Sequence, residues 1–242
     1  MEYLRIACAI QRIIYLLEDS NFMALELMRN VELNWSGRLS PSEWSMINVA
    51  HAAISMQSGD LAKALRHAQT AVGAARNVLE TRPRVYAAMS LAYALTASGD
   101  WQSAAAMLEE LNVEVAQSGS NYCQLHLHLL ISQIATLCGD VAGLRSAFVK
   151  VFRLMRSLAG VRNLFVSSEN LSLLCTIALE NGLSESDVST IVLQKSLMPT
   201  FERLNERWPW RFKIYTLGDF SLSMDGVPYG SRVRHSENLW IY

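Results

Sequence analysis

For its first two hundred residues the chain repeats helical runs of apolar positions, and then the pattern changes. Runs such as SEWSMINVAHAAISMQ (42–57) and RVYAAMSLAYALTA (84–97) lead to short polar turns, and runs such as LAKALRHAQTAVGAARNVL (61–79) follow them. The turns are SGD at 58–60, SGD at 98–100 and CGD at 138–140, so Gly59, Gly99 and Gly139 stand 40 residues apart. A period of this length is the mark of a solenoid built from helix-turn-helix units. One period later ENG at 180–182 puts Gly182 slightly late, and one period earlier EDSNF at 18–22 fills the same slot without a glycine, which makes about five units. From Phe212 to Met224 the spacing turns to partial alternation. Lys213 to Leu217 and Phe220 to Met224 are predicted strands, with Leu217-Gly218-Asp219 and Asp225-Gly226 as turns; Asp-Gly is a strong hairpin signal.

The turn chemistry agrees with the repeat. A glycine can end one helix in the left-handed conformation, and the aspartate after it can accept from the first free amides of the next. In SPSE, Ser40 is the predicted N-cap, Pro41 the first helical residue and Glu43 the closing member of a capping box, and SESD at 184–187 repeats that logic with an aspartate. Small residues recur seven before the glycine, at Ala52, Ala92 and Ser132, and five after it at Ala64 and Ala104, with Leu144 as the exception. They allow close approach of two helices. Leu61, Trp101 and Val141, two after each glycine, are expected to plug the gap between paired helices.

This gly-asp-apolar-x-x-Ala arrangement resembles the tetratricopeptide family with an elongated helix pair, well over residues 42–158 and more loosely at the flanks. The resemblance implies an all-α, right-handed α-α superhelix over residues 1–200. After a linker at 201–211, the segment 212–242 begins with strings that resemble the first strands of the OmpR-type winged helix of bacterial transcriptional activators. In large regulators similar to the maltose-regulon activator type, a helical repeat region is followed by a helix pair, a Trp-Pro linker and a TLG-x-F…DG-x-P strand pair. Here ALENGLSESDVSTIV (178–192), WPW (208–210), TLGDF (216–220) and MDGVP (224–228) occur in that order. A winged helix also needs a recognition helix in the major groove. GSRVRHSENLWIY, from Gly230 onward, is too short for one and does not match, so the winged-helix portion reads as incomplete, and no GxxxxGK[ST] is present for an upstream nucleotide site.

Charge and composition narrow the function. With 21 Lys+Arg against 22 Asp+Glu the net charge is −1, which argues against a broad nucleic-acid or anionic-membrane footprint. DNA contact is therefore expected only through the missing part of the C-terminal domain. Charges at Glu2, Arg5, Arg12, Glu18 and Asp19 break up the first apolar run, so no signal peptide or membrane span is expected and the chain reads as cytoplasmic. Cys8, Cys123, Cys138 and Cys175 form no CxxC pair and are expected as reduced, buried thiols.

Candidate chemistry is sparse. In CQLHLHLL, His126 and His128 are two apart and do not share a helix face, while Cys123 and His126 can share one but do not complete a zinc site. Nothing near His51 or His67 supplies a triad, and Glu18-Asp19 and Glu109-Glu110 have the pattern of solvated faces, so no catalysis, cofactor or metal is expected. Arg82, Arg84, Arg145, Lys150, Arg153 and Arg156 are expected on a solvated outer face. The better candidate is the inner surface of the solenoid. The resemblance places the first helix of each pair there, with positions 13, 10, 6 and 3 before each glycine projecting inward: Met46, Val49, Ala53 and Met56; Tyr86, Met89, Tyr93 and Thr96; His126, Leu129, Gln133 and Thr136. Of these Met46, Met56, Tyr86, Met89, Tyr93, His126 and Gln133 are the expected groove for a small effector or protein partner, with Tyr86 and Tyr93 as anchors. Packing between repeats is the competing reading, above all for Val49, Met89 and Leu129. The groove lacks a basic ladder, so it is not expected to clamp a peptide carboxylate. Function is expected to be signal sensing within a transcriptional regulator, with a plain protein-interaction scaffold as the alternative; self-association is compatible with either.

Overall fold

The computed structural model describes residues 2–17, 21–158, 165–183, 185–199, 207–216, 220–224 and 227–228. Among these residues ten α-helices form five consecutive pairs: α1 (Glu2–Leu16) with α2 (Asn21–Trp35), α3 (Pro41–Gln57) with α4 (Leu61–Ala75), α5 (Thr81–Ala97) with α6 (Trp101–Ser118), α7 (Asn121–Cys138) with α8 (Val141–Ser157), and α9 (Ser168–Glu180) with α10 (Glu185–Lys195). The first helices α1, α3, α5, α7 and α9 pack on one another in series, and α4, α6 and α8 each also touch the first helix of the next pair.

The periodic turns are built as the sequence implies. Gly59, Gly99 and Gly139 have φ of 77°, 89° and 68°, and Asp60, Asp100 and Asp140 accept hydrogen bonds from the amides of Lys63, Ser103 and Gly143. Ser40 and Glu43 form the reciprocal capping box, with the Ser40 amide donating to Glu43 Oε2 at 2.8 Å and the Glu43 amide donating to Ser40 Oγ at 3.3 Å. Ser184, the expected cap of α10, lies outside the described residues. A Cβ added at Gly99 would meet nothing within 4 Å. Gly99→Val should therefore lose stability through backbone strain alone, about 1–2 kcal/mol, while Gly99→Asn should lose clearly less because asparagine tolerates the left-handed region. Urea unfolding of both variants checks this; equal losses would mean that the turn's conformation is not what the glycine supplies.

The two layers bury different surfaces. The second helices α4 and α6 bury one stripe each, Ala64, Ala68, Ala71 and Ala75, then Ala104, Leu108, Leu111 and Val115, at spacings of three and four. The first helices after α1 are covered on most sides; α3 and α7 each bury ten residues. The small residues Ala52, Ala92 and Ser132 are buried where helices cross. Leu61, Trp101 and Val141 do not plug the paired helices: they occupy the first helical position directly after the aspartate cap, and Trp101 and Val141 are exposed. Cys123 and Cys175 are buried, and burial pushes the Cys175 thiol up to about 12, but Cys8 and Cys138 are exposed on the outsides of α1 and α7, against expectation. No helix among the described residues is long and apolar enough to cross a membrane.

Several of the basic residues tie helices together rather than face solvent alone. Arg84 pairs with Glu114 of α6 and donates to the carbonyls of Val78 and Leu79. Arg145 donates to the Asn181 carbonyl at the end of α9 (3.0 Å), and Arg156 pairs with Asp187 of α10.

A three-stranded antiparallel sheet follows, in the order β1 (Phe212–Tyr215), β2 (Ser221–Met224), β3 (Val227–Pro228), the last a two-residue strand that the pattern did not predict. The predicted turns fall outside the described residues. The register pairs Phe212 with Met224, Ile214 with Leu222 and Met224 with Val227, so one face is wholly apolar, while Lys213, Tyr215, Ser221, Ser223 and Pro228 make the other. Phe212, Ile214 and Val227 on the apolar face are 57%, 62% and 66% exposed. Trp208, placed by the sequence in a linker, is 1% exposed and joins the core formed by α7 to α10, with Trp210 packed against that core.

Candidate functional site

Most of the expected groove is consumed by packing. Met46, Tyr86, Met89 and His126 are buried, as are Val49, Ala53, Thr96 and Leu129; Met56, Tyr93 and Gln133 are half-buried. Side-by-side contact of α3, α5, α7 and α9 covers two flanks of each helix, and Phe165, just ahead of α9, lies across what would be the inner face. Its ring centre is 5.7 Å from that of Tyr86 and 5.4 Å from that of His126. Met56 packs with the alanines where α3, α4 and α5 meet. Tyr93 shares a helix face with Tyr86 but packs against the core, and burial raises its phenol above the ordinary value. Thr96 and Thr136 donate to the carbonyls of Ala92 and Ser132 within their own helices.

Around Tyr86 the aromatic residues form a nest. The Tyr122 ring lies 4.6 Å from His126, edge-on, and 6.2 Å from Tyr86. His126 is enclosed, and neither ring nitrogen has a hydrogen-bond partner among the described residues. Burial, with a smaller contribution from Lys195, holds it neutral with its pKa lowered to about 3. His128, on another face of α7, is lowered to about 4 by burial and then by Lys150 and Arg153. A second histidine pair, His51 and His67, stacks at 4.7 Å between α3 and α4, with His51 on Glu32 (2.7 Å) and His67 on Asn48 (3.1 Å). Among the described residues no three His, Cys, Asp or Glu side chains gather as metal ligands would.

The nest opens on one side into a cleft of about 630 Å³ between α1 and the first turns of α5 and α7. Ile14, Tyr86 and Cys123, all buried, form its floor; Tyr122 and Ser120 are half-buried walls; Gln11, Tyr15, Arg82 and Ser118 are exposed at the rim. The Arg82 guanidinium stands 5.4 Å from the centre of the Tyr86 ring and donates to Gln11 Oε1 at 2.8 Å. Burial, with Tyr122 and Cys123 adding to it, pushes the Tyr86 phenol well above its ordinary range against the opposing pull of Arg82. Arg82 thus belongs to a cleft rather than to an outer charged face.

Of the expected groove residues only Tyr86 borders this cleft. The missed residues had a signal in the repeat. Arg82 and Tyr122 occupy equivalent positions 40 residues apart, one helical turn before Tyr86 and His126, so extending the register toward the helix starts finds them. The contribution of α1 carried no such signal, because it depends on how the first pair closes on the third. A second cleft of about 650 Å³, between the end of α10 and Trp208–Phe212, is lined mainly by apolar residues, with Ser196 and Arg211 as its polar groups. Comparison with protein-family models, curated proteins and solved structures gives no match for the chain.

Proposed function

We propose that this chain is the signal-sensing region of a bacterial transcriptional regulator, acting in the cytoplasm, and that it binds a small effector in the cleft between α1, α5 and α7. The cleft itself carries the reading. Its volume of about 630 Å³ suits a small molecule, and aromatic walls with a few convergent polar groups are what such sites use. Support for the regulator comes from the C-terminal sheet. Its TLGDF and MDGVP strings resemble the opening of a winged helix, and its uncovered apolar face is what a sheet would present if a helical layer belongs against it. A ligand in the cleft alters assembly of such a regulator only through unequal affinity for its two states. The near-neutral chain is expected to make no sequence-specific DNA contact of its own. The exposed apolar sheet face also favours, as a second reading, an interaction scaffold that meets a protein there and has no effector.

A fragment library screened against the isotope-labelled chain by NMR tests the effector reading. Hits should shift the amide signals of Thr81, Ser118, Ser120 and Tyr122. Shifts confined to Trp210 and Phe212 would move the site to the second cleft, and shifts confined to the strands would favour the scaffold.

A further inference from the structure

Two arginines lie two residues apart at the start of α5, and they are used differently. Arg84 is committed to the fold: it pairs with Glu114 and donates to two main-chain carbonyls. Arg82 meets only neutral groups, the Gln11 amide oxygen and the face of Tyr86, and among the described residues no carboxylate pairs with it. Among the described residues no acidic side chain lines the cleft, and Arg82 is the one cation in its lining. A guanidinium has five N–H donors in a planar fork that matches a carboxylate bidentately. The cleft therefore offers one positive, directional anchor at its rim above an aromatic floor.

We infer that the cleft takes a small aromatic carboxylate, with the acid group on Arg82 and the ring packed against the half-buried Tyr122 above the Tyr86 floor. This inference rests on the reading of the cleft as an effector site. The aromatic part follows from the walls: the Tyr86 and Tyr122 rings are tilted 55° to one another with centres 6.2 Å apart, and Tyr15 and Ile14 close the side formed by α1. Tilted and edge-on contacts are favourable geometries for a third ring. The single negative charge follows from the single cation. A phosphate dianion would need further cationic partners, which the lining lacks among the described residues, and an uncharged ligand would leave the guanidinium without a counter-charge. The Ser120 hydroxyl at the start of α7, which accepts from the Cys123 amide, supplies a further donor on the same side. Because Arg82 is exposed, its ion pair is partly screened, and the selectivity for acid over neutral ligand is expected to be about tenfold rather than a thousandfold.

The test is calorimetric titration of the full chain with 2-naphthoate and with 2-naphthamide, which has nearly the same shape without the charge. Naphthoate should bind about tenfold more tightly. Arg82→Gln should erase that difference by weakening naphthoate about tenfold while leaving naphthamide unchanged, and its melting temperature should match the parent because the side chain is exposed. Ser118→Trp, which fills the mouth of the cleft, should weaken both probes. Equal binding of the two probes, or naphthoate binding indifferent to Arg82→Gln, overturns the inference; the cleft reading survives that result if Ser118→Trp still weakens both. If neither probe binds while the fragment screen finds hits at Ser118 and Tyr122, the aromatic-acid inference fails and the effector site stands. If neither probe binds and no fragment shifts those residues, both fail.

Discussion

Tyr86→Ala should cost about 3–5 kcal/mol of folding stability, the range for deleting a fully buried aromatic side chain. The ring is 1% exposed and packs against Tyr122, His126 and Phe165, which come from α7 and from the segment ahead of α9. Truncation would remove one of the contacts that tie the third pair to the fourth and to the segment ahead of the fifth. Urea unfolding with an unchanged m-value checks this, since it separates a stability loss from a change of native compactness. Tyr93→Ala should cost less because that ring is only half-buried. A Tyr86→Ala variant as stable as the parent would mean that the nest is not packed as described. This expectation reverses what the sequence pattern implies for Tyr86 and Tyr93, a pair of open-groove anchors whose loss would chiefly weaken binding. Ligand measurements should accordingly use Arg82 and Ser118 variants, whose parent side chains are exposed.

The second large effect is on the pH dependence of stability, through His126. Its pKa is held down to about 3 in the folded chain by burial, and an unfolded histidine titrates near its ordinary value of about 6.5. Between those values the unfolded state binds the proton and the folded state does not, so protonation pulls the equilibrium toward unfolding as the pH falls. The stability lost to this residue should be about 1.4 kcal/mol per pH unit across that window, with nothing lost above it. His128, lowered to about 4, acts in the same direction. His126→Leu should flatten this part of the profile. At neutral pH it should be neutral or stabilising, because it removes two ring nitrogens buried without partners among the described residues and puts an apolar side chain in their place. Urea midpoints of the parent and His126→Leu from pH 7.5 to 4 test both statements; parallel profiles would show that His126 is hydrated or protonated in the folded state.

The helices and their pairing were readable because each repeat writes its turn in local chemistry. A glycine in the left-handed region, an aspartate cap and small residues at crossing points at Ala52, Ala92 and Ser132 need no knowledge of distant chain. The β character of Phe212 to Met224 was legible for the same reason, from alternation and turn residues. The candidate site was not local. Whether Tyr86, Met89 and His126 face an open groove or a core depends on what lies opposite, and the occupant, Phe165, stands outside the 40-residue register. Likewise Gln11, Ile14 and Tyr15 join the cleft through the packing of α1, and Arg82 looks like any surface arginine until Tyr86 and Gln11 are found beside it. Trp208 looked like linker because WPW sits at a break, whereas a buried tryptophan is decided by the hydrophobic surface that α9 and α10 leave for it.

Blocking the mouth of the cleft tests the account most directly. Ser118 is exposed at the rim, and its hydroxyl donates to the Val115 carbonyl and accepts from the Ser120 amide, both local to the end of α6. Ser118→Trp should therefore fold with a stability within about 1 kcal/mol of the parent while obstructing the approach to Tyr86 and Tyr122. The fragment hits should be re-titrated against this variant. The account predicts that ligands shifting Thr81, Ser120 and Tyr122 in the parent lose at least tenfold in affinity. A well-folded Ser118→Trp chain that binds every hit as tightly as the parent would contradict it.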